Sequence, residues 1–288
     1  MLLAVVCLWA LNITVTRYVL THGFEPLAYA TIRYGLAALV FLVLTLVTER
    51  TLRVARSDWP LVLAATLTLW ANQVAFVYAL DITTASTVGL ILGATPVFAA
   101  LLGLAFGTEV LHARFWLGAV VSFAGVGLVA AGSGGHIEGG REGIALGVVT
   151  AATWAAYSVA IAPLMARYSP YRISALVLTL GWALIAITGG HQTIHQDVHL
   201  GWEVWGLLVF ATLGPLVTTN VLWFRSLDRI GPARATLAAN LNPFVAVLFA
   251  VVLLSESLSA LQLAGGALIA VGILLARRPR VGAPVPAE

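Results

Sequence analysis

The chain has no lysine, a single cysteine and very little charge of either sign. Its 288 residues carry fifteen basic side chains, all arginine, against twelve carboxylates, so 9% of the chain is charged and 60% is apolar. Soluble domains hold roughly 25% charged and roughly 45–50% apolar residues, and a mean hydropathy of +0.98 lies far from that balance. The missing lysine reads as a compositional bias without functional content. Cys7 alone excludes a disulfide framework. The net charge of +3 comes from arginines dispersed over connections rather than from a basic patch, which argues against a nucleic-acid partner. A phosphate-binding glycine loop ending in Lys-Ser/Thr is absent, so ATP does not drive the protein directly. No acid, base or metal-ligand cluster recurs at one depth, as a membrane-embedded enzyme would need, and no charged ring or filter-like loop marks a channel. Neither a catalytic residue nor a cofactor is expected. The chain enters apolar sequence at Leu2 with no basic n-region, so a cleaved signal peptide is not expected.

What remains is apolar sequence in lengths that cross a bilayer. A spanning helix takes about 20 mainly apolar residues, and such windows fall at 2–20, 27–48, 59–79, 84–106, 114–131, 144–162, 172–189, 202–224, 232–254 and 259–276. Long polar stretches are lacking, so any activity must be built from the spans themselves. Glu25-Pro26, Asp58-Trp59-Pro60 and Gly231-Pro232 punctuate helix starts, where proline suits the first turn. Alternating the connections groups Arg50, Arg53, Arg56, Arg114, Arg167, Arg172, Arg277, Arg278 and Arg280 on one side. Arg17, Arg141, Arg225, Arg229 and Arg234 are assigned to the other, and nine against five places both termini in the cytoplasm of a bacterial inner membrane.

The chain also repeats itself. Asp81, Pro96, Glu109, Gly118 and Gly125 recur 147 residues later as Asp228, Pro243, Glu256, Gly265 and Gly272, and the gap-free alignment of 79–132 on 226–279 holds 12 identities. Five spans per copy is an odd number, so the second copy enters the membrane from the opposite face. The expected fold is all-α: ten transmembrane helices as two inverted five-helix repeats, 1–132 and 133–277, around a central cavity, followed by a disordered cytoplasmic tail at 278–288. Such a pair can open a site between its halves to either face by rocking one half against the other.

The segments ATPVFAALLG and LNPFVAVLFA, each followed by a short glutamate turn (GTEVLHARFWLGAVVSFAGV and LSESLSALQLAGGALIAVGI), resemble the drug/metabolite transporter superfamily in its EamA-like ten-helix group. The resemblance spans both repeats. It implies a carrier of small metabolites, often amino acids and often outward, and the general layout is similar to that of aromatic amino-acid exporters.

Candidate site residues follow from polar and aromatic interruptions of the spans. Pro96 and Pro243 fall half-way along spans four and nine, as packing kinks or as hinges beside a cavity. Asn240 and Asn242, next to Pro243, should face the interior rather than lipid. Trp9 and Asn12 in span one correspond to Trp154 and Tyr157 in span six; Asn72, Gln73, Phe76 and Tyr78 in span three correspond to Thr219, Asn220, Trp223 and Arg225 in and after span eight. An apolar pocket with a few aimed polar groups suits a small-molecule substrate; membrane lipid is the other expected partner, and the closed repeat could work as a monomer. Glu109 and Glu256 are expected at the inner ends of spans four and nine, capping the helix that follows, and the paired glycines are expected to pack helices closely. Arg33 is the one charge well inside a span, either snorkelling to the interface or meeting a substrate carboxylate or an ion-pair partner. His191, His195 and His199 would share a helical face that could hold a metal, although local decoration is the preferred reading and no metal site is expected. No carboxylate is placed mid-membrane, which favours a facilitator over a proton-coupled antiporter.

Overall fold

A computed structural model describes residues 2–107, 113–132, 140–223 and 241–276. Every described element is helical: α1 Leu2–Thr21, α2 Pro26–Thr48, a short 3₁₀ turn Arg56–Asp58, α3 Trp59–Ile82, α4 Ala85–Leu92, α5 Thr95–Ala105, α6 Ala113–Gly132, α7 Gly140–Met165, α8 Pro170–His195, α9 Trp202–Thr212 with a π turn Leu213–Thr218, α10 Asn242–Leu254 and α11 Ala260–Ala276. Eight apolar helical segments are long enough to cross a bilayer, α4 with α5 forming the fourth and Trp202–Trp223 the eighth, and α10 and α11 are two shorter apolar helices. The result is a ten-helix membrane protein. Leu39, Leu46, Leu63, Leu67, Val120 and Leu248 stand exposed along the outside of the bundle, as a lipid-facing surface requires and a soluble protein avoids.

The starts of the helices follow local chemistry. Pro26, Pro60 and Pro170 occupy first turns of α2, α3 and α8, and the Ser169 side chain accepts from the Arg172 N–H at the start of α8. Hydroxyls inside the spans bond back to their own helix, as Thr31 does to Leu27 O and Thr45 to Phe41 O, each at 2.7 Å, so they cost the apolar interior little.

Packing between helices carries the sequence repeat into space. Spans five and ten pack together (α6 on α11), as do two and seven (α2 on α8), and α4 of the fourth on α10 of the ninth. Span three lies on span six while span one lies on span eight; span one lies on span nine while span four lies on span six. Replacing each span by its counterpart five along maps these packings onto one another. The glycines fix the sense of the relation. A Cβ on Gly125 would come 2.6 Å from Gly265 O, and one on Gly272 would come 2.5 Å from Gly118 O. Gly118 therefore meets the counterpart of Gly125, and Gly125 meets the counterpart of Gly118, so the two helices run antiparallel about a twofold axis lying across them. Only glycine permits so close a backbone approach.

Charges separate into two ends. At one, Arg167 pairs with Asp58 and Arg172 with Glu49, the latter at 2.7 Å. At the other, Arg17 donates to Leu80 O and Asp81 O at 2.6 and 2.5 Å, and Gln196 joins the Glu25 N–H and Gly23 O. Two expectations change here. Glu256 lies at the Arg17 end, opposite the Arg172–Glu49 end, because α10 runs toward Arg17. The eighth span begins near Val198 and ends with Trp223 beside Trp9, on the half of α1 away from Arg17. Alternation therefore starts the connection after Trp223 from the arginine-rich end, not the end assigned from sequence. Arg225, Arg229 and Arg234 themselves lie outside the described residues, as do Glu109, Asn240, the Gly231-Pro232 start and the tail 278–288.

Candidate functional site

The fourth span is not a kinked helix but two helices. α4 ends at Leu92 and α5 begins at Thr95, so Pro96 occupies the first turn of α5, where its missing N–H breaks no bond. The carbonyl that a continuous helix would have left unpaired is that of Leu92, and the Thr95 hydroxyl donates to it at 2.7 Å. Pro243 holds the same place in α10. The break in the fourth span faces the start of α10: a Cβ on Gly93 would lie 3.4 Å from the Pro243 ring and 3.1 Å from Ile269. Pro96 thus belongs to an interruption at the contact between repeats rather than to a bend within an intact helix, and Pro243 lies in the first turn of the described α10.

The remaining candidates divide into groups. Trp9 Nε1 donates to Thr219 Oγ1 at 3.0 Å, and its ring lies 5.2 Å from that of Trp223, tilted by 49°. This joins spans one and eight with an aromatic pair. Asn12, one turn further along α1, has a buried Oδ1 with no partner among the described residues, and the same holds for Gln73 Oε1 and Asn242 Oδ1. On α3, Gln73 Nε2 donates to Asn72 Oδ1 at 2.8 Å and Asn72 Nδ2 to Thr150 O at 2.9 Å, a chain of amides tying span three to span six. Unsatisfied buried acceptors are costly, and these three amide oxygens lie on spans one, three and nine.

Other candidates are used elsewhere. Tyr78 accepts from Gln192 Nε2 at 3.1 Å near the Gln196 end, apart from the Gln73 chain. Asn220 Nδ2 donates to Leu216 O of its own helix at 2.6 Å. Trp154 is 37% exposed, while Tyr157, 5.3 Å away ring to ring, is more enclosed. The span-one and span-six pairs are therefore not equivalent in space: Trp9 crosses to another span, and Trp154 stacks on its own.

Glu256 does not cap the helix that follows it. Ser259 and Gln262 do that for α11, the Gln262 N–H donating to Ser259 Oγ at 3.1 Å and the Ser259 N–H to Gln262 Oε1 at 2.9 Å, a capping box. Glu256 instead reaches the start of α4 in the other repeat, beside a recess of about 390 Å³ lined by Arg17, His22, Thr84 and Ser255. Sequence reasoning missed this role, because the partners lie 170 residues away. α8 extends through the first two histidines, with His191 and His195 rings stacked at 4.4 Å. Among the described residues no group of three His, Cys, Asp or Glu side chains is placed to hold a metal ion.

Arg33 does not snorkel. It is 3% exposed, and its Nε donates to Ala211 O of the eighth span at 3.3 Å.

The EamA-like transporter family matches residues 1–131 and 141–278. An "Uncharacterized transporter" of Archaeoglobus fulgidus is 24% identical over 96% of this chain and 96% of its own length. A "Probable terminal-alkyne amino-acid exporter" of Streptantibioticus cattleyicolor is 29% identical over 69% of this chain and 66% of its own. The "Uncharacterized transporter YvbV" of Bacillus subtilis is 26% identical over 94% and 88%. One crystal structure of a protein shares the fold at a TM-score of 0.65 and 19% identity, covering 96% of this chain and 95% of that one.

Proposed function

Since the chain belongs to the EamA-like transporter family, and is a multi-pass membrane transporter rather than an enzyme, we propose that it exports small organic metabolites, in particular amino acids, across the bacterial cytoplasmic membrane by alternating access. The observation that carries this reading is the interruption of the fourth span at Gly93, packed on Pro243 at the start of α10 of the other repeat, across an antiparallel pair of repeats. A span broken into two short helices at that contact can let its halves tilt independently, so that each end of the bundle opens while the other stays closed. The exporter of Streptantibioticus cattleyicolor, at 29% identity, supports amino acids as the cargo class; aromatic ones suit the Trp9–Trp223 pair.

The substrate path in this reading runs past Trp9, Asn12, Gln73, Tyr157, Trp223 and Asn242, with Pro96 and Pro243 at the hinges. Tyr78, Trp154 and Asn220 are further candidates, Tyr78 held by Gln192 and Asn220 bonded back to Leu216 of its own helix. All twelve carboxylates lie at span ends or in connections by sequence position, which supports a facilitator over a proton antiporter. Both termini are cytoplasmic in this orientation, and one chain holds the complete pair of repeats.

Reconstitution into liposomes tests the reading. Uptake of labelled amino acids, then sugars and nucleobases, is measured with and without a pH gradient. The expected result is saturable, gradient-independent uptake of amino acids; strict dependence on the gradient would replace the facilitator with proton coupling.

A further inference from the structure

The eighth span lacks one helix hydrogen bond. Pro215 has no N–H to give to Ala211 O four residues earlier, and the π turn Leu213–Thr218 surrounds the gap. Arg33 of α2 supplies the missing donor through Nε at 3.3 Å. Its guanidinium carbon lies 5.8 Å from the Tyr29 ring centre and 5.7 Å from that of Tyr34, within reach of cation–π attraction.

Among the described residues these contacts leave most of the side chain's capacity unused. A guanidinium has five N–H groups, and one of them meets Ala211. Among the described residues Arg33 has no carboxylate partner; the two ion pairs are Arg167–Asp58 and Arg172–Glu49, at the arginine-rich end. A buried, uncompensated charge inside membrane spans is expensive. Repairing a carbonyl does not call for one, because the break in the fourth span is served by the neutral Thr95 hydroxyl. A charge at Arg33 therefore has a use beyond the helix it repairs.

We infer that Arg33 anchors the carboxylate of the transported molecule, its two terminal nitrogens forming the bidentate fork that matches a carboxylate. This rests on the metabolite-transporter reading above and narrows the cargo to molecules bearing a carboxylate. Gln73 lies at a similar depth. Gly35 packs on Trp182 and Gly181 on Leu69, so these residues share a level; from it Arg33 is about 3 Å and Gln73 about 6 Å toward the Arg17 end at 1.5 Å per residue. The unpartnered Gln73 Oε1 is a buried acceptor at this depth.

The test uses the full chain in proteoliposomes, with the proteinogenic L-amino acids, sugars and nucleobases as labelled probes, and the amide of each transported acid as competitor. The native protein is expected to prefer acid to amide by about ten-fold or more, the worth of one charge-assisted contact. Arg33→Gln is expected to abolish that preference, and Arg33→Lys to retain part of it. Equal competition by acid and amide in the native protein, or an unchanged preference in Arg33→Gln, overturns the assignment. If both variants fail to fold, the acid-to-amide ratio of the native protein decides. Transport confined to compounds without a carboxylate overturns the Arg33 role while leaving the transporter reading in place. No uptake of any probe removes the export reading and this inference together.

Discussion

Glu256 closes the start of a helix that precedes it by 170 residues: its Oε2 accepts from the Ser86 hydroxyl at 2.6 Å and the Ser86 N–H at 2.9 Å, and Oε1 accepts from the Ala85 N–H at 2.8 Å. A negative group at a helix N-terminus is favoured by the free N–H groups and the helix dipole. This one also ties the two repeats together beside Arg17. Glu256→Gln puts an amide NH₂ against those donors and should cost about 1–3 kcal/mol of stability. Thermal unfolding of the purified protein measures it, and an unchanged Tm would mean that the contact is not a tie.

Orientation follows from the same end. With Cys7 replaced by alanine, a cysteine at His22 should react in intact cells with a membrane-impermeant maleimide, and one at Arg53 should react only after lysis. His22 and Arg53 lie at opposite ends of the bundle. The reverse labelling pattern would invert the protein in the membrane.

The glycine contacts between α6 and α11 leave no room for a methyl group. Gly125→Ala and Gly265→Ala each place a Cβ 2.6 Å from backbone oxygen of the facing helix, so each should destabilise by roughly 1–3 kcal/mol or more. Gly127→Ala, on the same helix with nothing within 4 Å, should be tolerated. Monodispersity after a heating series compares the three; equal behaviour would dismiss the close approach.

Trp9→Phe keeps an aromatic ring against Trp223 but removes the Nε1–H donated to Thr219. Hydrogen bonds between membrane helices average about 0.6 kcal/mol, so the Tm should move little. If the pair lines the substrate path, KM should rise several-fold with kcat nearly unchanged. A large fall in Tm with unaltered KM would make the pair purely structural.

The ten spans were legible because a bilayer imposes length and apolarity on each helix by itself. The inversion was legible too, since it follows from counting five spans between recurring residues such as Pro96 and Pro243. The proline pair was readable as important but not in detail. Whether a proline kinks a helix or begins one depends on where the preceding carbonyl finds a donor, and for Leu92 that donor is the Thr95 hydroxyl. Glu256 is the clearest miss. A capping glutamate is recognised by its neighbours in the chain, and here the cap acts across the repeat interface.

Sequence alone determined the membrane setting, the span count, the duplication and its inversion, because these are properties of runs and periods along one chain. Tertiary structure decided which residues meet. It turned the paired glycines into an antiparallel contact between repeats, separated Tyr78 and Asn220 from the Gln73 amide chain, and buried Arg33 against Ala211 instead of letting it reach the interface. The reason is that burial, hydrogen-bond satisfaction and charge compensation depend on atoms far apart in sequence, and only packing brings those atoms together.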